Sequence, residues 1–265
     1  MFKAKVFSIF CFLLFLISTT SGSPVILNEY NAVGPGKYLG PAGSDEYWGR
    51  VAGNGGDWFE LVVIEDHLNM RQWKFRMTYY DPSSKKYVTE TLNLSNNSIW
   101  SDLRSGTIIT ISEKLPDDVS YNPIYDPGDP TAGDWWINVR ANYASGTGSY
   151  IDRENFTVDS EDWTLKIREG DGTIVFGPVG ESVNTSGPLI GDNEIFRLKE
   201  DPSASITPFS KYDDAQDFST FGAPNRWGAT GNNVQDFSQL RSVVPEPATV
   251  FLLGLGSLAL LRRRR

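Results

Sequence analysis

The sequence WKFRMTYY, residues 73–80, alternates apolar and polar side chains over eight positions. A period of two residues is typical of a β-strand with one face buried and the other turned to solvent. Residues 135–139 and 163–168 repeat this alternation, whereas the apolar runs at residues 61–64 and 108–111 are typical of more deeply buried strands. The sequence therefore predicts β-strands at these five places.

Turn residues separate the predicted strands. The segment EGDG, residues 169–172, lies between the alternating residues 163–168 and the apolar residues 173–176, which predicts a β-hairpin. Between the two ends of the chain, no stretch shows a convincing period of 3.6 residues. With 25 Gly, 15 Pro and 13% aromatic residues, the composition favours short strands joined by turns over disorder. We therefore predict an all-β fold, either a sandwich or a barrel.

A set of short motifs resembles the lamin-tail domain. The motifs are NE at residues 28–29, DWFEL at residues 57–61, a strand ending at Trp73 and GAPN at residues 222–225. The resemblance extends over about residues 24–225 and implies an immunoglobulin-like β-sandwich, in which about residues 112–160 form an inserted segment of strands and loops. Residues 226–243 are rich in Gly, Asn, Gln and Ser, which is typical of a flexible spacer.

The N-terminal segment is typical of a secretory signal peptide. Lys3 and Lys5 precede the apolar residues 6–17, and small polar residues follow. We therefore expect residues 1–23 to be removed on export. Because Cys11 is the single cysteine of the chain, the exported protein would contain none. That would exclude disulfides, thiol catalysis and cysteine-ligated zinc.

The C-terminal segment, residues 244–265, combines a Pro-Glu-Pro motif, an apolar run and a basic end. The uncharged residues 248–261 are fewer than the roughly 20 that span a bilayer comfortably, so they predict a short transmembrane segment that serves as a temporary tether. The basic end would stay on the cytoplasmic side. The residues predicted to direct sorting and processing are Val244, Pro245, Glu246, Pro247, Arg262, Arg263, Arg264 and Arg265.

In the order of its three parts, this tail resembles the PEP-CTERM sorting signal of Gram-negative bacteria. The resemblance implies an exosortase-type enzyme as a partner, which would remove the tail near Glu246. It also implies a location, first as a transient tether in the inner membrane and then at the cell surface or in an extracellular matrix. Extracellular polysaccharide and other surface proteins are the further partners expected there.

The charge balance excludes another class of partner. The chain has 33 acidic and 24 basic residues, for a formal net charge of −9. The two end segments contain more basic than acidic residues, so the middle of the chain is more acidic still. Because phosphate binding needs a basic surface, we expect no nucleic acid partner.

Residue types suited to catalysis are scarce. His67 is the only histidine, and it stands among turn-forming residues between two predicted strands. The sequence lacks a Gly-x-Ser-x-Gly motif that could supply a nucleophilic serine. We therefore predict a protein without catalytic residues. A hydrolase that uses carboxylates alone is the least favoured alternative, because no acid pair stands out in the sequence.

Three acidic residues are candidate calcium ligands. Asp126, Asp129 and Asp134 fall within nine residues rich in Gly and Pro, and calcium prefers several oxygen ligands from a flexible loop. The spacing does not match an EF-hand loop, and aspartate also favours turns through local hydrogen bonds. We expect no cofactor, with calcium as the alternative.

Tryptophans near loops are the candidate ligand contacts: Trp48, Trp136 and Trp227. Alternation places Trp136 with Asn138 and Arg140 on the polar side of its strand, whereas Trp135 would join the core. An exposed indole beside polar groups can stack on a sugar ring or contact a protein. Burial of these rings under loops is the alternative.

These features predict a non-enzymatic, exported cell-surface or extracellular-matrix protein with a structural or adhesive role. The alternative is a polysaccharide-binding module, with or without help from calcium.

Overall fold

The structure is a computed structural model. It describes residues 22–124, 133–141, 149–153, 156–181, 183, 189–228 and 230–242. The predicted C-terminal sorting signal and all but the last two residues of the predicted signal peptide lie outside the described residues. The described residues form an all-β fold with two short 3₁₀ turns, at Ala52–Gly55 and Ser98–Trp100.

The fold contains short strands throughout its length. The strands are β1 (Val25–Asn31), β2 (Ser44–Asp45), β3 (Trp58–Val63), β4 (Lys74–Asp81), β5 (Lys86–Leu94), β6 (Ile108–Ser112), β7 (Trp136–Arg140), β8 (Ile151–Arg153), β9 (Thr164–Arg168), β10 (Ile174–Gly180), β11 (Ile195–Leu198), β12 (Tyr212–Ala215), β13 (Phe218–Ser219), β14 (Arg226–Trp227) and β15 (Asn233–Val234).

Two open sheets make up most of the molecule. The six-stranded sheet has the order β12-β11-β1-β3-β6-β7, and the five-stranded sheet has the order β10-β9-β4-β5-β8. Neighbouring strands are antiparallel except for β6 and β7, which are parallel. Because both sheets are open, the fold is a β-sandwich and not a barrel.

Large apolar side chains join the two sheets. Phe59 of β3 contacts Phe75 of β4, with ring centroids 5.6 Å apart, and Tyr30 of β1 contacts Trp163, at 4.4 Å. All four side chains are fully buried. Burial of one such side chain contributes about 1.5–3 kcal/mol by removing apolar surface from water. This layer between the sheets is the main core.

Most of the predicted strands are confirmed. The alternation at residues 73–80 corresponds to β4, and the runs at residues 61–64 and 108–111 contribute to the adjacent strands β3 and β6. The predicted hairpin is formed by β9 and β10. Its turn is closed by a hydrogen bond from the Glu169 N–H to the Thr173 carbonyl, with an N···O distance of 2.9 Å.

The alternation at residues 135–139 is confirmed only from residue 136 onward. Ile137 and Val139 of β7 are buried in the main core. Trp135 is buried as well, but its φ of 48° is a left-handed backbone conformation, and the strand begins only at the next residue. There the guanidinium of Arg241 lies over its ring, 5.1 Å from the centroid.

The region predicted to be an insertion adds an edge strand to each sheet. β7 pairs in parallel with β6, so that Ile137 lies opposite Ile109. β8 pairs with β5 at the edge of the other sheet. These strands extend the two sheets of the sandwich instead of forming a separate unit.

The prediction of a flexible spacer at residues 226–243 is wrong for the described part of that segment. Gln235 and Phe237 are each only 4% exposed. Arg241 donates from Nε and Nη2 to the Gly106 carbonyl, at 3.0 and 2.9 Å, and its guanidinium also lies over the Phe237 ring. The polar composition of the segment conceals these few anchoring residues.

Candidate functional site

A row of polar side chains crosses the six-stranded sheet on the face turned away from the main core. Each strand contributes one residue, and neighbours in the row lie directly opposite each other in the sheet. In sheet order the row consists of Asp213, Arg197, Glu29, Glu60, Thr110 and Asn138. All except Asp213 are buried. Because an unpartnered buried polar group is costly, the row requires hydrogen bonds from a covering layer.

The covering layer consists of two loop segments, residues 44–55 and 217–235. The short parallel pair β2–β13 joins these segments. Asp45 then links them further, because its Oδ1 accepts the N–H of Trp48 at 2.9 Å and its Oδ2 accepts the N–H of Phe221 at 3.1 Å. The two segments of the covering layer are therefore bound to each other as well as to the polar row.

Glu29 lies near the centre of the polar row and is completely buried. The hydroxyls of Ser219 and Thr220 lie 2.9 Å from its Oε1 and Oε2, respectively. Burial, followed by the nearby negative charge of Asp45, raises the pKa of Glu29 to about 8, although the two hydroxyl contacts act in the opposite direction. At neutral pH the neutral acid is therefore the main form of this side chain.

The number of hydroxyl protons available for hydrogen bonds around Glu29 indicates the same protonation state of its carboxyl group. The Ser219 oxygen lies within hydrogen-bonding distance of Glu29 and Asp45, and the Thr220 oxygen lies within that distance of Glu29 and Asn225 Oδ1. Each hydroxyl has one proton, so the two hydroxyls can donate in only two of these four contacts. A proton on the Glu29 carboxyl can fill a third contact.

Glu60 and Asn225 continue the network from the next strand to the covering layer. Glu60 accepts the Asn28 amide at 2.7 Å and the Gly222 N–H at 2.8 Å. Its pKa is raised well above the ordinary value by burial and then by the charge of Glu29. The Asn225 amide donates to the carbonyls of Asn28 and Leu198, each at 3.0 Å. Asn225 thereby holds the closing loop against β1 and β11.

Three of the four motifs that resemble the lamin-tail domain meet in this network. The fourth does not, and its predicted strand ending at Trp73 is wrong, because Trp73 directly precedes β4. Asn28 and Glu29 come from NE, Glu60 from DWFEL, and Gly222 and Asn225 from GAPN. These segments are up to 197 residues apart in the chain. Motifs that are widely separated in the sequence therefore form one connected structure.

Two further residues of the DWFEL motif have other roles. Trp58 is buried, and its Nε1 donates to the Asn54 carbonyl at 2.9 Å. Asp57 accepts the Val158 N–H at 3.2 Å. Burial, followed by the charge of Glu113, raises the pKa of Asp57 to about 7.

Sequence reasoning missed several members of the polar row and its cover. Ser219 and Thr220 contact Glu29 from the covering layer, and Asp45 contacts Ser219. No local pattern in the sequence distinguishes these three residues. Arg197 stands within the short apolar segment IFRL of β11, where a buried arginine signals a nearby partner. That isolated charge is a signal that could have pointed to this face of the sheet.

Trp48 and Trp136, two of the three predicted contact tryptophans, come together in one aromatic cluster. Both rings are half-buried and contact Tyr47, with centroid distances of 5.1 and 6.0 Å. Phe221 contacts all three rings from the covering layer. Trp136 is also tied to the polar row, because its Nε1 donates to the Thr110 hydroxyl at 2.9 Å. Tyr47, with 52% exposure, is the most accessible ring of this cluster.

Trp227, the third predicted contact, lines a groove at the free edge of the six-stranded sheet. The groove has a volume of about 1030 Å³ and lies between residues 41–43, strand β12 and the hairpin β14–β15. Arg197 and Asp213, at the end of the polar row, form part of its wall. The covered polar row thus becomes accessible at this edge.

His67 lies in an exposed turn with a φ of 57°. Its Nδ1 is 2.7 Å from Asp102 Oδ1, and its Nε2 is 3.6 Å from Asp66 Oδ2. The guanidinium of Arg104 pairs with the same Asp66, with an Nε–Oδ1 distance of 2.6 Å. These solvent-exposed contacts join the turn that follows β3 to residues 102–104, which precede β6.

The candidate calcium ligands are only partly covered by the structure. Asp134 accepts the Asn122 N–H at 2.8 Å, a contact between residues 12 positions apart in the chain. Asp126 and Asp129 lie outside the described residues. Within the described part of the chain, no group of three or more His, Cys, Asp or Glu side chains is placed to hold a metal ion.

Comparison with known proteins identifies the tail of the chain. Residues 243–265 match the family model described as the PEP-CTERM protein-sorting motif. No curated protein and no solved structure matches the chain. None of the helices among the described residues is long and apolar enough to cross a membrane. The motif is that of an exported protein sorted by an exosortase, and it is consistent with a surface or extracellular location.

Proposed function

We propose that the exported domain is a non-enzymatic structural or adhesive component of the cell surface or the extracellular matrix. The sorting motif supports export and processing of the tail by an exosortase, with a transient tether in the inner membrane before release. We further propose that the sandwich is of the immunoglobulin-like, lamin-tail type. The convergence of the NE, DWFEL and GAPN motifs in one network supports this assignment.

The enclosed state of the central carboxyl groups is the observation that carries the proposal. Glu29 and Glu60 have no exposed surface, and both oxygens of each carboxyl contact hydroxyls or N–H groups of the protein itself. General acid–base catalysis needs a carboxyl within hydrogen-bonding reach of a substrate. These two groups are instead used to bind the covering layer to the sheet.

Two assays test this proposal. The exported protein should be inert toward glycans, esters and phosphodiesters, and robust turnover that is lost in Glu29→Gln would overturn the non-enzymatic function. In a host with an active exosortase, the wild-type chain should lose its tail and reach the surface. A chain truncated before residue 244 serves as the control that cannot be tethered or processed, and identical handling of both chains would contradict the sorting mechanism.

A second candidate function is polysaccharide binding through the half-buried tryptophans. The aromatic cluster of Trp48 and Trp136 and the groove beside Trp227 each combine an indole with nearby polar groups, an arrangement that suits a sugar ring. Glycan arrays probed with wild-type, Trp136→Ala and Trp227→Ala proteins would show which surface binds. Repeating the arrays with a chelator would test the calcium alternative, and wild-type protein that binds no glycan would reject this candidate.

A further inference from the structure

The groove beside Trp227 has firmly held walls. Arg197 is buried, and its Nε lies 3.1 Å from Asp213 Oδ1 while its Nη1 lies 3.0 Å from Asp217 Oδ1. The same Nη1 donates to the Phe218 carbonyl at 3.0 Å. Lys199 pairs with the other oxygen of Asp213, at 3.1 Å. These contacts fix the charged wall of the groove before any ligand arrives, which lowers the cost of ordering it on binding.

The charges that line the groove are mainly negative. Four carboxylates and two cations contribute to it: Glu194, Asp213, Asp214, Asp217, Arg197 and Lys199. Arg197 is occupied by its two carboxylates, but the side chain of Asp217 is still 42% exposed. An excess of negative charge repels polymers of uronic acids and attracts cationic groups. The acidic character of the whole chain acts in the same direction.

The remaining wall of the groove contains an aromatic ring. Trp227 of β14 is half-buried and pairs across the hairpin with Asn233, which also lines the groove. An indole can stack on the apolar face of a sugar ring, and it also attracts a cation placed over its face. A sugar with an ammonium group presents both features.

We propose that this groove binds a saccharide with free amino groups. A sugar ring stacks on Trp227, and the carboxylates of Asp213 and Asp217, which both contact Arg197 on the wall of the groove, receive the ammonium groups. This inference rests on the second candidate function and specifies the class of sugar. A peptide strand is a poorer occupant, because β12 is only four residues long and carries two adjacent aspartates, which discourage pairing with another chain.

Binding of three oligosaccharides of equal length to the exported protein tests the proposal. The probes are a chitosan hexasaccharide with free amines, its fully N-acetylated form and a hexameric uronate, each measured by calorimetry at low and high ionic strength. We expect the chitosan probe to bind most tightly and to weaken as salt increases, because salt screens exposed charges. The N-acetylated probe should bind more weakly and with little salt dependence, and the uronate should not bind.

Three variants locate the binding site. Trp227→Ala should weaken chitosan binding about tenfold. Asp217→Asn should weaken it about threefold, and Arg197 keeps its contact with Asp213 in this variant. Lys199→Gln should strengthen it about twofold to threefold, because it removes a cation from the groove and releases an oxygen of Asp213. Phe209→Ala, which removes an exposed ring outside the groove lining, is the matched control and should bind as the wild type does.

The outcomes separate this proposal from the broader function. Equal affinity for the free and N-acetylated probes, lost together in Trp227→Ala, would overturn the amino-sugar specificity but leave saccharide binding in place. Unchanged chitosan binding in all three groove variants, with unaltered melting temperatures, would overturn the site. If none of the probes binds while other sugars on an array do, the amino-sugar proposal fails and the second candidate function survives.

Discussion

The two faces of the six-stranded sheet bury their side chains by different means. The inner face packs apolar rings such as Tyr30 and Phe59 against the other sheet. The outer face buries the polar row, including Glu29 and Glu60, under loops that supply hydrogen-bond partners. Apolar packing tolerates many similar side chains, whereas a buried polar group needs one specific partner. The outer face is therefore the part of the fold that depends on specific sequence motifs, namely NE, DWFEL and GAPN.

Disrupting the inner face should have the largest effect on stability. Phe59 contacts Phe75, Phe156 and Trp163, so Phe59→Ala leaves a cavity in the middle of the main core. We expect a loss of about 3–5 kcal/mol in the free energy of unfolding, measured by urea denaturation. Phe59→Leu, which refills much of the volume, is the control and should cost clearly less. Equal losses in both variants would contradict the packing role.

The outer face should instead make stability depend on pH. The folded pKa of Glu29 is about 8, against an ordinary value of 4.5, so the folded protein keeps a proton that the unfolded chain releases between these values. The contribution of Glu29 to stability is fully present below pH 4.5 and is lost as the pH rises through 8, by on the order of 4 kcal/mol.

The variant Glu29→Gln isolates this effect. Glutamine cannot ionise, so the urea midpoint of the variant should change less between pH 5 and pH 8 than that of the wild type. Glu60, whose pKa is also raised, and Asp57, with a pKa of about 7, contribute in the same direction and leave a residual slope. A wild-type midpoint that rises over this pH range would contradict the protonated state of the row.

Removing the link between the covering layer and the sheet should have an intermediate effect. Asn225→Ala leaves the carbonyls of Asn28 and Leu198 without the Asn225 amide. We expect a loss of about 2 kcal/mol in unfolding free energy, the cost of buried acceptors that lose a donor. Asn233→Ala, at an exposed position of the same segment, is the control. A loss no greater than that of the control would show that the cover is not tightly bound.

The exposed turn at His67 should matter least. Because its ion pairs with Asp66 and Asp102 are solvent-exposed, His67→Ala should change stability by less than about 1 kcal/mol. The variant protein should also reach the cell surface as the wild type does, as measured by labelling intact cells. A large loss of stability would contradict this expectation, because it would show that exposed polar contacts stabilise the fold as strongly as the buried network does.

Local patterns in the sequence were sufficient for several strands but not for the polar row. The alternation at residues 73–80 determines which side chains of β4 face the core, since successive side chains point to opposite faces. The partners of Glu29 come instead from Ser219 and Thr220, about 190 residues away, and no local period connects them. The NE and GAPN motifs marked the two ends of this contact without revealing that they meet.

Composition was misleading where a few residues determine the structure. Residues 226–243 contain mostly small and polar side chains, which predicted a spacer. Gln235 nevertheless donates from Nε2 to Asn28 Oδ1 at 2.9 Å and to the Glu200 carbonyl at 3.0 Å, and Phe237 packs into the main core. The groove beside Trp227 depends on the same folded segment, so it could not be predicted from residue counts.

Hydrogen exchange of the covering layer tests the central claim, that an enclosed polar row is part of the structural framework. The N–H groups of Phe221, Gly222 and Asn225 donate to Asp45, Glu60 and Gln235, respectively. We predict that these three amides exchange as slowly as those of the central strand β3. Exchange at the rate of an unstructured peptide, while β3 stays protected, would show that the cover opens freely and that its carboxyl groups are accessible to a substrate.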